Sequence, residues 1–342
     1  TKFDTLASRI LGGDPVDMFP YEWDAVPNGV TKEQYQPLDD YLDLGDDIWS
    51  DMSDVIEMFK YKDKHYVVPY CLSDPLLITY NRSLCEENGL DDPYELYKKD
   101  KWDWDTFMDM MKTFVSNAKD GETRYGINGW FGQAMVQSTG ETFVKYDGTK
   151  FSNNISSPAI EEAEGVMEEI MSLGLYDPTW YGYLPDDGST LFFGMADWAL
   201  GASNVKADPK PDYEDNGYVE ENDLMIVPFP KQPGSDEYYL NCNFGAKMLV
   251  KNSDKGAAVA AYIKCERLAS MIDEYKDAAK EKAIIPEVNA QGKLKSYVTE
   301  EQYDALQDYK DPKNITPVFD FGYGMGSRMY GDGEYTYETR GV

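Results

Sequence analysis

Short apolar runs alternate along this chain with longer segments whose apolar residues recur at helical spacing. The run Leu76–Tyr80 is apolar at nearly every position, as a strand buried on both faces of a sheet requires. Within 107–115, apolar residues return every third or fourth position, and Asp103 can cap the helix that this spacing predicts. Strands that alternate with helices of ten or more residues indicate an α/β fold, whose strands we expect to be mostly parallel.

The same two spacings predict the other elements. Helices are expected over 3–11, 36–41, 158–171 and 253–268. Strands are expected over 16–19, 125–128, 224–227 and 244–250, and a hairpin over 60–68. Gly12 and Gly13 end the first helix, and Pro158 suits a first helical position.

Charge excludes two classes of partner. The 342 residues include 32 Lys plus Arg and 63 Asp plus Glu, so the net charge is 32 − 63 = −31. This charge repels phosphate backbones and anionic lipid, which argues against binding of nucleic acid or of a membrane surface. No apolar run reaches about 18 residues, so no transmembrane helix is predicted. With 42% hydrophobic residues, the chain can form the core of one large domain or of two.

Few residues are available for catalysis or metal binding. His65 is the single histidine and is expected in a solvated turn. The four cysteines have no CxxC spacing, so we expect buried free thiols, or one disulfide, rather than a zinc site. Motifs for a nucleophile elbow, a dinucleotide or a phosphate loop do not occur. We therefore expect no catalytic residue, no metal and no cofactor. The four cysteines are Cys71, Cys85, Cys242 and Cys265.

A pair of carboxylates is one alternative that keeps catalysis open. Asp39, Asp40, Asp186 and Asp187 could in principle supply the acid and base of a glycoside hydrolase. Because 63 acidic residues guarantee some neighbouring pair by chance, this pattern alone does not indicate an enzyme.

Aromatic residues indicate a binding cleft. The chain contains 27 Tyr and 7 Trp, and several of them directly follow predicted strands, where ligands of open α/β sheets bind. A sugar offers weakly polar C–H faces to aromatic rings and hydroxyl edges to amides and carboxylates. The aromatic residues after strands are Tyr21, Trp23, Tyr70, Trp130 and Phe131, and the polar candidates for the rim are Asp24, Asn128, Asn241 and Asn243.

The tryptophans differ in the role we expect. Trp102 and Trp104 flank a helix start and are expected to pack in the core. Trp198 lies in an apolar run and is expected in a core strand. For Trp23 and Trp130, contact with a ligand and contact within the core both remain open.

Eight motifs occur along the chain in an order that is familiar from one family. They are LASRILGGDPVDMF, YQPLDDYL, YKDKHYVVPYCLSDPLLITYNRSLCEENGL, WDWDTFMDMM, YGINGW, KYDGTKF, SSPAIEEAEGVMEEIMSLGL and NFGAKMLVKNSDKGAAVAAYIK. In these motifs and their order, the chain resembles extracellular solute-binding proteins of ABC importers, the branch that includes maltose- and multiple-sugar-binding proteins. Two positions depart from the family pattern, since Val16 stands where proline is usual and Asp103 where threonine is usual.

The resemblance implies a two-lobed fold of the type II periplasmic-binding-protein class. Crossing hinge strands would join two α/β lobes, with the solute in the cleft between them. Residues 1–82 with 243–290 would form the first lobe, and residues 83–242 with 291–342 the second. The family has a strand and a helix before the glycine signature and closing helices after the position of Val342, so we expect this sequence to be part of a longer chain.

The resemblance also implies a function. The protein would bind a carbohydrate, with an oligosaccharide expected, without transforming it, and deliver it as a monomer to the permease subunits of an ABC transporter. It would lie on the outer face of the cytoplasmic membrane, held by a lipidated N-terminal cysteine in Gram-positive bacteria, or in the periplasm of Gram-negative ones. The same fold with a peptide or polyamine as ligand stays open as an alternative.

Thirteen positions match the contact loops of the family. In this sequence they are Tyr21, Trp23, Asp24, Tyr70, Asp74, Trp130, Phe131, Ser203, Asn204, Asn241, Asn243, Phe321 and Tyr323. The loop at Ser203 and Asn204 often carries an aromatic residue in the family, so stacking at that subsite is not expected here.

Overall fold

Helices and strands alternate along the chain in a computed structural model that describes residues 2–14, 16–22, 25–179, 181–207 and 222–322. The helices are α1 (Lys2–Leu11), α2 (Ser53–Met58), α3 (Arg82–Glu87), α4 (Pro93–Lys98), α5 (Trp104–Ser116), α6 (Gly132–Gln137), α7 (Pro158–Ser172), α8 (Leu200–Ala207), α9 (Gly256–Met271), α10 (Asp273–Ala283) and α11 (Glu300–Tyr309). The strands are β1 (Met18–Pro20), β2 (Lys60–Tyr61), β3 (Lys64–His65), β4 (Cys71–Ser73), β5 (Leu76–Asn81), β6 (Tyr125–Gly129), β7 (Val144–Tyr146), β8 (Phe151–Asn153), β9 (Thr190–Ala196), β10 (Leu224–Val227), β11 (Tyr239–Asn241), β12 (Asn243–Gly245), β13 (Lys247–Leu249), β14 (Glu287–Val288), β15 (Leu294–Ser296) and β16 (Thr316–Val318). None of the helices in these ranges is long and apolar enough to cross a membrane.

Four strands in the order β10-β5-β9-β6 form the largest sheet of the described chain, and we call this sheet with the helices against it the sheet core. Every residue of β9 and β10 is buried, so both faces of the sheet are covered. The expected predominance of parallel strands was wrong: of the strand pairs described, only β6–β9 and β11–β16 are parallel. The α6 and α7 segment supplies the crossover that parallel β6–β9 pairing needs, whereas β5 enters directly from β4 and runs in the opposite direction.

Local signals in the sequence place the helices of the sheet core. The side chain of Asp103 accepts a hydrogen bond from the backbone N–H of Thr106 at 2.9 Å, which confirms the predicted cap of α5. This helix buries its predicted apolar face, including Phe107 and Phe114, and contacts β6. Pro158 occupies the first turn of α7, also as predicted.

Outside the sheet core, the structure differs from two predictions about local elements. The strand expected over 244–250 divides into β12 and β13 at Ala246, whose carbonyl accepts a hydrogen bond from the N–H of Tyr21 at 3.0 Å. The helix expected over 36–41 is a turn, because the N–H of Leu38 donates to the carbonyl of His65 at 2.8 Å and ties this segment to the β2–β3 hairpin.

The single histidine takes part in the same contact between segment 36–41 and the hairpin. The expectation that it lies in a solvated turn was wrong. The turn consists of Lys62 and Asp63, both with positive φ, while His65 is buried. Its Nδ1 lies 2.8 Å from Oδ1 of Asp39, and its Nε2 lies 3.3 Å from Oε1 of Glu57. Burial raises the pKa of Asp39, but the hydrogen bonds from His65 outweigh burial and leave this pKa below its ordinary value.

The cysteines and the tryptophans near α5 fit most of the expectations. All four cysteines are free thiols, and Cys85 and Cys242 are buried, but Cys265 is exposed on α9. Trp102 and Trp104 are in the core, with 0% and 3% of their surface exposed.

The sheet topology shows which segments share a sheet with β5. Strand β5 lies between β9 and β10, so residues 76–81 share a sheet with 125–129, 190–196 and 224–227 rather than with the segments before them. The expected boundary at residue 82 falls just after this strand, and the one at 290 falls inside the β14–β15 hairpin. The last pairing before the sheet core is β4 with β12.

Candidate functional site

One edge of the four-stranded sheet brings together three loops with polar and aromatic side chains. Trp130 directly follows β6, and the 3₁₀ helix Asp197–Ala199 directly follows β9. Asp74 precedes β5, whose first residue pairs with the last residue of β9. Because β6 and β9 are parallel and β5 is antiparallel to β9, all three loops lie at the same edge. The carboxyl ends of parallel strands are the usual place for a ligand.

Two tryptophans lie in contact at this edge and are open to solvent. Trp130 is 38% exposed and Trp198 is 66% exposed, and their ring centroids are 5.9 Å apart at an interplanar angle of 59°. The expectation that Trp198 lies in a core strand was wrong, because β9 ends at Ala196 and the next turn carries the indole outward. We call Trp130 and Trp198 the indole pair; it offers apolar ring surface beside polar groups.

Two glycines beneath the indole pair, Gly129 and Gly194, have no room for a side chain. The N–H of Trp130 donates to the carbonyl of Gly194 at 2.8 Å. A Cβ atom on Gly194 would lie 2.2 Å from the carbonyl oxygen of Trp130, and one on Gly129 would lie 2.3 Å from the carbonyl oxygen of Gly194. Gly129 also has a φ of +87°. Trp130 therefore rests directly on the backbone of β9.

A buried ion pair lies next to the indole pair. Nζ of Lys310, at the end of α11, is 2.5 Å from Oδ2 of Asp197, and both side chains are largely buried. Burial raises the pKa of Asp197, Lys310 offsets this only in part, and the carboxylate of Asp74 adds to the rise. Asp74 itself is exposed and has a φ of +47°.

Polar side chains also flank Cys242, where β11 passes into β12. Asn241 pairs with Val318 of β16, and its amide donates a hydrogen bond to Oε1 of Gln137. Asn243 pairs with Ser73 of β4. The Nε2 of Gln137 is buried and has no hydrogen-bond partner in the described part of the chain.

A second buried polar group lies near the same segment. The hydroxyl of Tyr21 has no hydrogen-bond partner among the described residues. Burial, with contributions from Cys242 and Glu22, raises the pKa of Tyr21 well above its ordinary value, so this hydroxyl stays neutral and can both donate and accept. An unpaired buried polar group costs about 1–3 kcal/mol. Both unpaired groups lie near the segment where β11 passes into β12, since Gln137 contacts Asn241 and Tyr21 lies close to Cys242.

Aromatic rings from separate chain segments pack behind these polar groups. Phe59 is fully buried, and its ring centroid lies 5.0 Å from that of Phe244, 5.3 Å from Phe319 and 5.6 Å from Phe321. Tyr21 joins them at 5.5 Å from Phe59. We call these five rings the ring cluster. It places two residues predicted for the site, Tyr21 and Phe321, in one buried group.

Two residues predicted from the contact loops use their side chains for hydrogen bonds within the protein. Ser203 is buried, and its hydroxyl donates to the carbonyl of Ala199 at 2.9 Å. Asn204 is fully buried, and its amide donates to the carbonyl of Tyr297 at 2.8 Å and to Oε1 of Gln302 at 2.7 Å. Both residues lie on α8, which packs against β15.

Other predicted residues are likewise in the interior or only partly open. Phe131 is 1% exposed and contacts the ring of Tyr176. Asn128 is buried, and its amide donates to the backbone carbonyls of Asp177 and Thr179 in the loop after α7, so it does not lie on a rim. Tyr70 is half-buried, and its N–H donates to the carbonyl of Gly245. Three predicted residues, Trp23, Asp24 and Tyr323, lie outside the described residues.

Metal binding has no support in the described ranges, where no three His, Cys, Asp or Glu side chains cluster as ligands.

Residues 4–235 match the family of bacterial extracellular solute-binding proteins. The chain belongs to this family. A search of curated proteins gives no match in sequence.

Solved structures with the same fold cover most of this solute-binding protein. The sugar-binding protein MalE from Xanthomonas citri superposes with a TM-score of 0.63 at 14% identity, over 93% of this chain and 76% of that one. The galacto-N-biose-/lacto-N-biose I-binding protein of an ABC transporter from Bifidobacterium longum gives 0.60 at 14%, over 94% and 77%. The cyclic alpha-maltosyl-1,6-maltose binding protein from Arthrobacter globiformis gives 0.60 at 18%, over 83% and 68%. The solute-binding protein therefore has the fold of type II periplasmic binding proteins.

Proposed function

We propose that this solute-binding protein binds a carbohydrate, an oligosaccharide by preference, and delivers it to the permease of an ABC transporter. The observation that carries the proposal is the exposed indole pair, Trp130 and Trp198, at the sheet edge that also carries the exposed Asp74. Indole faces suit the C–H faces of sugar rings, and hydroxyls of the sugar can pair with amide and carboxylate groups. The three structural neighbours named above are named for sugar binding or for the sugar they bind, which supports the same ligand class here.

The proposed site combines residues from the sheet edge and the strand crossing. The indole pair would stack on sugar rings, and Asp74 and Asn243 would accept or donate hydrogen bonds at the rim. The buried hydroxyl of Tyr21 would find its partner in the ligand or in a water that the ligand orders. The site residues of the proposal are Tyr21, Asp74, Trp130, Trp198, Asn241 and Asn243.

We further propose that the protein has two lobes that close on the sugar. The crossings would lie at 73–76, 241–243 and 318–321, with β5 in the second lobe because it lies inside the sheet core. A ligand that contacts both lobes only in the closed form stabilises that form. The proposed protein binds its sugar without chemical turnover and is a monomer. Its partners are permease subunits, and it lies outside the cytoplasmic membrane, with a lipid anchor in the Gram-positive case.

A cationic solute such as a polyamine is disfavoured by the charges at the site. A cage for a cation needs aromatic faces together with two or more free carboxylates. Lys310 pairs with Asp197, so Asp74 is the carboxylate that remains without an ion pair at this edge of the described structure.

Calorimetry with mono- and oligosaccharides tests the proposal. Trp130→Ala and Trp198→Ala should each weaken sugar binding by about 1–3 kcal/mol, because each removes an aromatic face from the ligand. Tyr275→Ala is the matched control, since Tyr275 is also exposed but lies on α10. Unchanged sugar affinity in both tryptophan variants would remove the indole pair from the site, and binding of spermidine instead of any sugar would favour the cationic alternative.

A further inference from the structure

The place of the Trp198 indole depends on the short turn that carries it. This side chain is 66% exposed, and its ring centroid lies 5.9 Å from that of Trp130. The turn follows β9 directly: the N–H of Asp197 donates to the carbonyl of Pro75 at 3.2 Å, and the N–H of Leu200 donates to the carbonyl of Asp197. Because so much of the indole is open to solvent, the groups that hold Asp197 determine where the indole lies.

Lys310 reaches Asp197 from a separate part of the fold. It directly follows α11, which is anchored at both ends: Thr299 caps its first turn, and the hydroxyl of Tyr309 in its last turn donates to the carbonyl of Ile226 in β10 at 3.0 Å. The backbone that carries Lys310 is therefore fixed against the sheet core. From there its Nζ lies 2.5 Å from Oδ2 of Asp197.

Stability alone is a poor explanation for this ion pair. The side chains of Lys310 and Asp197 are only 20% and 10% exposed, and the desolvation of such a pair offsets much of its attraction. Burial raises the pKa of Asp197, and Lys310 offsets only part of that rise. The backbone N–H of Trp198 also favours the ionised carboxylate. The charge of Asp197 thus connects the lysine to the residue that carries the indole.

We infer that Lys310 is a positioning residue for the sugar site, which acts through Asp197 to hold Trp198 in its place beside Trp130. The inference rests on the proposed function, since it concerns the stacking surface of that site. Loss of Lys310 leaves a buried carboxylate without its counter-charge, so the turn rearranges and the indole is no longer fixed. A ring that is held before the solute arrives costs less ordering on binding than a mobile one.

The indole in the unliganded protein tests the inference without any sugar. Incorporation of 5-fluorotryptophan at the seven tryptophans gives ¹⁹F resonances, and the resonance that disappears in Trp198→Phe belongs to Trp198. Lys310→Met should shift or broaden this resonance. Lys310→Arg keeps the positive charge and should return the resonance close to its position in the parent.

A second lysine provides the matched control. Lys280 on α10 is 26% exposed and pairs with two carboxylates of α11, Glu300 at 2.6 Å and Asp304 at 2.8 Å. It therefore resembles Lys310 in burial and in the number of charges that it meets, but it does not contact the turn that carries Trp198. Lys280→Met should leave the Trp198 resonance and the sugar affinity unchanged.

The pH dependence of the same resonance distinguishes positioning from general support of the fold. Because the pKa of Asp197 is raised, its carboxylate should take up a proton above the ordinary value of 3.8 and release Lys310 as the pH falls. The Trp198 resonance of the parent should move in that range, and that of Asp197→Asn should not. Asp74 is the other carboxylate that acts on Asp197 in the described structure, so Asp74→Asn should lower the pH of the transition without abolishing it. Burial raises the pKa of the neighbouring Cys242, whose thiol therefore stays neutral.

Sugar affinity gives the last readout. Lys310→Met should weaken binding of the best oligosaccharide by about 3- to 10-fold in calorimetry, because the ring remains but is no longer held. In the Asp197→Asn background, Lys310→Met should have little further effect, since the lysine acts through that carboxylate. A full effect in that background would mean that Lys310 acts on the sugar or the fold directly, which overturns the inference.

The unliganded measurement decides in every case. A Trp198 resonance that stays the same in a folded Lys310→Met protein overturns the inference. Where circular dichroism shows that Lys310→Met unfolds, Asp197→Asn takes its place, because it removes the ion pair without leaving a buried negative charge, and an unchanged resonance there has the same meaning. Since this measurement needs no solute, failure to bind any sugar would count against the proposed function alone.

Discussion

The sheet core and the ring cluster are both buried and rich in aromatic residues, but they are held together differently. In the sheet core, Phe192 lies on β9, whose hydrogen bonds to β5 and β6 fix where its ring contacts Trp102 and Phe107. In the ring cluster, Phe59 and Phe319 come from segments outside the described strands, and their ring centroids lie 5.3 Å apart.

This difference suits the proposed closure of two lobes, which needs a fixed platform and a joint that can move. A sheet fixes the register of every side chain along it, so the sheet edge can hold the indole pair in one position. Ring contacts depend far less on backbone register and can shift when the segments that carry them move. The ring cluster lies beside the proposed crossings, where such movement is needed.

The largest expected effect separates the two regions by stability. Phe192→Ala should lower the free energy of unfolding by about 3–5 kcal/mol, because the surrounding sheet cannot collapse into the cavity. Phe319→Ala should cost about 2 kcal/mol, since its ring neighbours can move into the space. Urea denaturation followed by circular dichroism measures both, and an equal cost for the two variants would contradict the comparison.

A smaller effect concerns the hydroxyl of Tyr21 at the border of the ring cluster. Tyr21→Phe should raise the free energy of unfolding by about 1 kcal/mol, because it removes a buried group without a partner, and should weaken sugar binding at the same time. Tyr309→Phe is the control in the sheet core, where the hydroxyl donates to the carbonyl of Ile226 at 3.0 Å. Loss of that hydrogen bond should lower the free energy of unfolding. Removal of a tyrosine hydroxyl should therefore have opposite effects on stability at the two positions.

The smallest effect depends on pH and tests the hydrogen bonds between Asp39 and His65, which connect segment 36–41 to the β2–β3 hairpin. The pKa of Asp39 is lowered in the folded protein, so its ionised form stabilises the fold above the ordinary value of 3.8, and this stabilisation is lost as the pH falls through the lower folded value. Asp39→Asn should therefore be less stable than the parent at pH 7 and lose less stability below pH 3.8. Denaturation of both proteins at pH 7, 4 and 3 measures this difference. Parallel pH profiles of the parent and Asp39→Asn would rule out a stabilising contribution from the Asp39–His65 hydrogen bonds.

Much of the fold follows from the sequence because its signals are local. Capping by Asp103 and the apolar spacing of α5 depend on neighbours within a few residues, and both predictions were confirmed. Strand direction is not local: β5 runs against β9 because the chain crosses into the sheet from β4. The turn at 36–41 likewise depends on His65, which lies far along the chain.

The candidate site is less accessible to sequence reasoning. Trp130 could be found because it follows a strand, but Trp198 required knowing that β9 ends at Ala196, which its pairing with Leu76 decides. Motif resemblance pointed to Asn204, whose amide binds other parts of the protein. The amide nitrogen of Gln137, which has no partner among the described residues, has no signal in the sequence, since its environment arises from packing.

The two glycines under the indole pair have a consequence for how this protein could change its ligand over generations. A methyl group at position 194 would push against the main chain of Trp130, so it would tilt the stacking surface before it disturbed the hydrophobic interior. Residues around the rim can vary and alter which solute is preferred, whereas Gly129 and Gly194 set the height and angle of the surface on which every such solute would rest.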